Sequence, residues 1–584
     1  MADLRGAGQG RRTARHAQGE PPPRHLPRVP RAIRPQGRAG GGGAIGLSAR
    51  GGETASKRRA DMVASLSRTK STAPKPGELL FSGNDWDFET IRRIHDACEA
   101  VAGPELGLSW YPNQIEIITA EQMLDAYASI GMPLFYKHWS FGKHFAQQEA
   151  SYRRGLMGLA YEIVINSDPC ISYVMEENTA TMQTLVIAHA AFGHNHFFKN
   201  NYLFRQWTDA EGILDYLDFA KSYIARCEER YGHQAVEHVL DAAHALMSQG
   251  VHRYPRKKRP DLASEQRRER EREEHGEQIY NDLWRTLPAK TGAAKGDPAL
   301  ERRKALLELP QENILYFLEK VAPRLRPWQR EILRIVRLVA QYFYPQRQTK
   351  VMNEGCATYC HYRIMNSLSQ KGQLSEAAYL EFLTSHTNVI RQPNFDDRSF
   401  GGHNPYALGF AMMQDIARIV EQPSDEDREW FPDIAGTGDA MGVLRDCWEN
   451  YRDESFIAQF LSPKLMRDMR LFHVVDDPDE PEMRVAAIHD ERGYRKMRRS
   501  FARQYDVAWL DPDIEVVDVD LEGDRRLILH HKALNRITLQ REDARRVLQH
   551  LADLWGYDAV LKEVDPATGA VLVEHSASAR PIFF

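Results

Sequence analysis

Between residues 310 and 463, apolar positions recur at intervals of three and four through ENILYFLEKVA, WQREILRIVRLVAQYF, MNEGCATYCHYRIMNSL and NPYALGFAMMQDIARIV. That spacing predicts a body of packed helices. From 77 to 254, helical stretches alternate with short extended ones. YEIVIN (161–166) and ISYVM (171–175) have the β-branched and aromatic content of strands, and the SDP between them is a turn signal, so the pair reads as a hairpin. ENTATMQTLVIAHAAFG then predicts a buried helix, with Asn178 or Thr179 as its N-cap and Gly193 as its stop. After 495 the period changes again. EVVDVDLEGDRRLILHH and AVLKEVDPATGAVLVEH each read as a hairpin, and REDARRVLQHLADLWG between them reads as a helix.

The expected fold class is therefore α+β: a predominantly α-helical body, a β-hairpin feeding a histidine-bearing helix, and a small C-terminal ββαββ domain. Five stretches follow from the pattern. Residues 1–76 form an Arg/Gly/Pro-rich tail, 77–254 an N-terminal α/β part, 255–309 a charged helix or linker, 310–494 the helical part, and 495–584 the ββαββ domain. The tail has too few large apolar residues to fold. It reads either as a basic arm or as an over-extension of the coding frame, with Met62 as a more ordinary start.

Composition narrows the function classes. At 584 residues, with 42% hydrophobic and 27% charged residues, the chain has ordinary globular composition. The formal charge is −4, but residues 1–61 alone carry +9, which leaves −13 on the remainder. An acidic body argues against nucleic acid as a partner, since phosphate neutralisation needs clustered Lys and Arg. Six scattered cysteines, without a CxxC pair, fit a reducing cytoplasm. No apolar run approaches a transmembrane segment.

The strongest chemical signal is His189, His194 and His196 within eight residues. Imidazoles are common ligands of zinc and similar divalent metals. A spacing of five is wrong for a straight helix, where an HExxH zinc motif uses four and places a Glu after the first His; here Ala190 stands at that position. A helix that ends or bulges at Gly193 would bring His194 back to the face of His189. Glu354 and His361, seven apart in MNEGCATYCH, share one helix face. Two histidines from one helix and a carboxylate from a later one follow the logic of zinc hydrolases, so the expected metal ligands are His189, His194, Glu354 and His361, the last as ligand or outer support.

Glu162, Glu176 and Glu177 are the carboxylates nearest the histidine segment, and the catalytic role of the missing Glu is assigned to Glu177. The alternative is that Glu176 and Glu177 simply favour a helix N-terminus. Tyr406, in GGHNPYALGF with His403 and Asn404, is the expected oxyanion-stabilising hydroxyl; the same segment also reads as a Pro-initiated helix with an Asn cap. Cys356 and Cys360 point away from Glu354 and read as packing thiols. His138, His144, His244 and His386 read as ordinary core or surface histidines. The hairpin before the histidine helix suits an edge strand able to hold an extended peptide.

Long segments also resemble a known family. ELLFSGNDWDFETIRRIHD, FYKHWSFGKHF, GLAYEIVINSDPCISYVMEENT, HAAFGHNHFFKNNYLF, YFYPQRQTKVMNEG, NPYALGFAMMQDI and RQYDVAWLDPDIEVVDVDLEGDRRLIL are similar to segments of SpoVR (stage V sporulation protein R) family proteins, from about Leu79 to about His575. The resemblance implies a role in spore cortex formation or in envelope and stress physiology, with a PrkA-type serine protein kinase and a von Willebrand-like protein as associates. It carries no settled chemistry. His196 stands where relatives can have Ser and is left out of the site, and the first 61 residues have no counterpart in the family pattern. The expectation is a metal-dependent hydrolase acting on an amide bond of a peptide or cell-wall precursor. A non-enzymatic scaffold acting with the kinase is the alternative. A di-metal carboxylate oxidase is disfavoured by the lack of an ExxH motif.

Overall fold

The computed structural model describes residues 75–128, 136, 138–139, 162–253, 307, 309–394, 397, 400–471, 473–475, 484–486 and 491–580. The basic tail up to residue 74, most of the charged stretch 255–309 and His144 lie outside them.

Helix α1 (Phe88–Ala102) starts at Asp87, whose side chain accepts from the amide of Thr90, and buries Ile91, Ile94, Cys98 and Val101 on one stripe. The first sheet contains β1 (Asn113–Ile118), β2 (Glu162–Ile165) and β3 (Cys170–Met175) in the order β1-β3-β2. β2 and β3 pair antiparallel as the expected hairpin. β1 adds to β3 in parallel, a partnership that no local pattern announces.

After β3, Thr179 caps α2 (Ala180–Ile187) by accepting from the amide of Met182. Gly193 does not stop this helix. The chain passes through a π-helical segment, Ala188–His194, and continues as α3 (Asn195–Asn200). Gly193 is instead needed for packing: a Cβ there would meet the Cα of Ala357 at 2.5 Å. The glycine lets two helix backbones touch, and the second of them carries Glu354.

The helical body follows with α4 (Ile213–Tyr231), α5 (His233–Ala245), α6 (Ile314–Val321), α7 (Pro327–Gln348), α8 (Lys350–Gln370), α9 (Glu376–Val389), α10 (Pro405–Glu421), α11 (Ala440–Asn450) and α12 (Asp453–Phe460). α8 is the central rod and is buried on several sides. Its first turn is capped from outside, because the carboxylate of Asp453 accepts from the amides of Val351 and Met352, at 2.8 Å each. α10 crosses it at a glycine pair: a Cβ on Gly409 would lie 2.2 Å from the carbonyl of Val351, and one on Gly355 would lie 2.6 Å from Gly409. Small residues at both crossings bring the histidine segment and α10 close to α8.

A short hairpin, β4 (His473–Val475) with β5 (Arg484–Ala486), precedes the C-terminal elements. These are β6 (Ile514–Val519), β7 (Leu527–Lys532), α13 (Arg541–Trp555), β8 (Ala559–Val564) and β9 (Val571–Ala577), in sheet order β6-β7-β8-β9. Two hairpins are joined by the parallel pair β7–β8, which requires the α13 crossover. The ββαββ order and the α+β class agree with the pattern of the sequence.

Two large apolar clusters organise these elements. One gathers α1, α2, the π segment, α8 and α10, with Trp448 and Phe192 fully buried. The other joins α4–α7 to the C-terminal sheet and α13 through Leu318, Ile332, Leu529, Leu551 and Trp555. The candidate site lies where β2, the π segment, α8 and α10 meet. Among the described residues, no helix is long and apolar enough to cross a membrane.

Candidate metal centre

The π segment makes the spacing of His189 and His194 usable. Its hydrogen bonds reach five residues back, as from the amide of Asn195 to the carbonyl of Ala190. Residues five apart therefore stack as residues four apart do in an α-helix. The two imidazole rings meet edge to face with centroids 4.6 Å apart, both buried. His194 Nδ1 is hydrogen-bonded to Asn353 Oδ1 at 2.9 Å. An amide oxygen only accepts, so His194 donates from Nδ1 and presents a bare Nε2 to the site.

Glu354 enters from α8. Its Oε2 lies 3.6 Å from His194 Nε2 and 4.0 Å from His189 Nε2. Glu162 enters from the first residue of β2, with Oε1 3.6 Å from His189 Nε2. Four donors from three elements thus converge. One donor atom each of Glu162, His189 and His194 lie within 4.8 Å of one another, a grouping that could hold a metal ion. Bonds of 2.0–2.1 Å in tetrahedral geometry place donors about 3.3–3.4 Å apart, so the observed 3.6–4.0 Å needs a contraction of about 0.2–0.7 Å around one ion.

The electrostatics point the same way. Among the described residues, Nε2 of His189 and Oε2 of Glu354 are both buried without a hydrogen-bond partner. A buried carboxylate oxygen and a buried imidazole nitrogen left unsatisfied side by side is a costly arrangement that a cation relieves. Burial pushes the Glu162 carboxyl up to about 8, and the charge of Glu354 adds to the effect. Burial first, then the neighbouring rings of His194 and His361, holds His189 well below its ordinary value, so it is a neutral imidazole.

The remaining expected residues fall in different places. His361 stands behind His189, with Nδ1 to Nδ1 at 2.9 Å, and supports it from outside the donor cluster. His361 Nε2 in turn meets His386 Nδ1 at 2.9 Å, so His386 joins the site's surroundings although its segment gives no sign of it. The ring of Tyr406 lies nearly parallel to that of His189, with centroids 6.2 Å apart, while Asn404 caps α10 by accepting from the amide of Tyr406. Glu177 is not brought to the cluster: it is exposed, and its carboxylate accepts from the amide of Ala120. The carboxylate that reaches the centre is Glu162. β-pairing decides between these glutamates, and spacing along the chain carries no signal of it.

His196 is turned away, its Nδ1 within hydrogen-bond distance of both the amide and the carbonyl of Ser109. Cys356 and Cys360 are buried, and the Cys356 thiol faces the carbonyl of Gly193 at 3.9 Å. His138 pairs with Asp241, and His244 with Tyr136. His403 packs against Phe400 and Phe501.

Fold and site together define a mainly helical α+β protein in which Glu162, His189 and His194 could hold a divalent cation, with Glu354 beside the two histidines. The chain belongs to the SpoVR family. The family model described as SpoVR like protein matches residues 85–510, and the SpoVR-like C-terminal domain matches residues 512–566. The chain is 52% identical over 495 residues to "Uncharacterized protein YcgB" of Escherichia coli (strain K12), covering 85% of this chain and 96% of that protein. No solved structure matches. The donor cluster and its outer histidines all fall inside the first matched region.

Proposed function

We propose that this SpoVR family protein is a metal-dependent hydrolase that cleaves an amide bond in a peptide or cell-wall precursor. The observation that carries the reading is the pair of buried atoms, His189 Nε2 and Glu354 Oε2, unpartnered among the described residues and facing each other beside His194 Nε2. A divalent cation such as zinc, bound by His189, His194 and Glu354, would polarise a water molecule and a substrate carbonyl.

The protein's own groups complete the chemistry. Glu162 would supply, from a strand, the carboxylate that an HExxH helix supplies from the position after its first histidine; a cation beside it would favour its ionised form, which could then accept the proton of the attacking water. The Tyr406 hydroxyl, on the ring beside His189, steadies the developing oxyanion. Among the described residues β2 is an edge strand, so an extended peptide pairing with it would run past Glu162. Two carboxylates and two histidines also suit one ion better than the larger carboxylate set of a di-metal oxidase.

The test is turnover of a peptide and muropeptide library by the zinc-loaded full chain. Glu162→Gln is expected to keep bound zinc while losing roughly 100-fold or more in turnover. Absence of amide cleavage by the loaded wild type would contradict the reading. Co-purification with a PrkA-type serine kinase and a cellular phenotype that both survive Glu354→Gln would support the scaffold instead.

A further inference from the structure

Behind the donor cluster, three buried imidazoles form one chain: His189 Nδ1 to His361 Nδ1, and His361 Nε2 to His386 Nδ1, both at 2.9 Å. Each link needs one N–H, and a neutral imidazole has only one. The two links must therefore run in the same direction. If His189 donates, then His361 donates onward to His386, and His189 Nε2 is left as a bare lone pair. If His386 donates, the order reverses, and His189 carries its proton on Nε2, where it cannot ligate a cation.

A further observation favours the first direction. The carbonyl of Ala357 lies within hydrogen-bonding reach of the His189 ring, whereas Nε2 of that ring has no partner. The Ala357 carbonyl can only accept, so it favours the proton on Nδ1. All three rings are buried, which disfavours a charged imidazolium at any of them. His386 itself lies among the rings of Phe382, Phe410 and Tyr362.

We infer that His386 is a positioning residue which, acting through His361, fixes the tautomer of His189 and so sets the affinity of the centre for a divalent cation. This rests on the metal reading above and adds to it a residue that touches neither cation nor substrate. The acceptor at position 386 is what matters, and the imidazole itself is dispensable. Asparagine can place an amide oxygen where Nδ1 now lies, while leucine fills similar space and accepts nothing.

The experiment is titration of the metal-free full chain with cobalt(II), followed by its ligand-field spectrum and by competition with a chromophoric chelator. Wild type, His386→Asn and His386→Leu are compared, each checked for native thermal unfolding. His386→Leu is expected to bind roughly 10–100-fold more weakly, the usual effect of losing outer support of a ligand. His386→Asn should stay within about threefold of wild type and keep its cobalt spectrum. A leucine variant that binds like wild type, or an asparagine variant as weak as leucine, would overturn the inference while leaving the metal reading standing. If wild type itself binds no cobalt, both fall together. Should the leucine variant fail to fold, His386→Phe takes its place, an aromatic ring that fits the same apolar surround and accepts nothing; cobalt binding roughly 10–100-fold weaker supports the inference, and wild-type binding overturns it.

Discussion

Nε2 of His189 and Oε2 of Glu354 stand 4.0 Å apart with no hydrogen-bond partner among the described residues, and their chemistry sets opposite expectations for the empty and loaded protein. Glu354→Gln removes a negative charge facing Glu162. The metal-free variant is thus expected to unfold at the same temperature as wild type or slightly higher. Zinc at 100 times its Kd should stabilise wild type by about 2.7 kcal/mol and leave the variant unmoved, as read by thermal unfolding with and without zinc. A second residue-scale test lies in the C-terminal sheet. Burial pushes the Glu563 carboxyl up, but hydrogen bonds from His575, the amide of Leu539 and His531 outweigh it, so the net shift is downward. A carboxyl lowered by folding contributes stability above its unfolded pKa that is lost as pH falls through the folded one. Wild type should therefore lose stability in acid more steeply than Glu563→Gln, which in turn should be less stable by about 3 kcal/mol at neutral pH. A flat comparison of the two by thermal unfolding from pH 3 to 7 would contradict this. His189, His194, Glu354 and His361 could be singled out from spacing because each pair sits on one continuous segment. Glu162 and His386 could not, because strand pairing and helix packing bring them in.

At the scale of elements, the π segment is what turns a spacing of five into a shared face, and its partner α8 is held in contact by glycine. Gly409→Ala would push a methyl group to 2.2 Å from the carbonyl of Val351, one turn before Glu354. The expected cost is about 1–3 kcal/mol, measured by chemical denaturation, together with weaker zinc binding because α8 shifts. Gly372, where added bulk meets only Gly77, serves as a control for the crossing, although its positive φ adds local strain. The helices themselves were legible from apolar spacing, and so was the Thr179 cap. Gly193, read locally, looks like a helix stop. Its actual role depends on Ala357, a contact distant in sequence, so nothing near Gly193 could have revealed it.

For the whole molecule, the alternating C-terminal segments gave the ββαββ order directly, since period two is visible strand by strand. That this sheet shares an apolar cluster with α4–α7 was not visible, because a sheet's inner face does not encode its partner. The same limit applies to β1, which reaches the hairpin from well upstream. The central claim concerns the place where β2, the π segment and α8 meet, and elemental analysis of the full chain purified without an affinity tag tests it most directly. About one equivalent of a divalent metal per chain, lost in Glu354→Gln, is the predicted result. Wild type without stoichiometric metal, and with unfolding unchanged by added zinc, would contradict it.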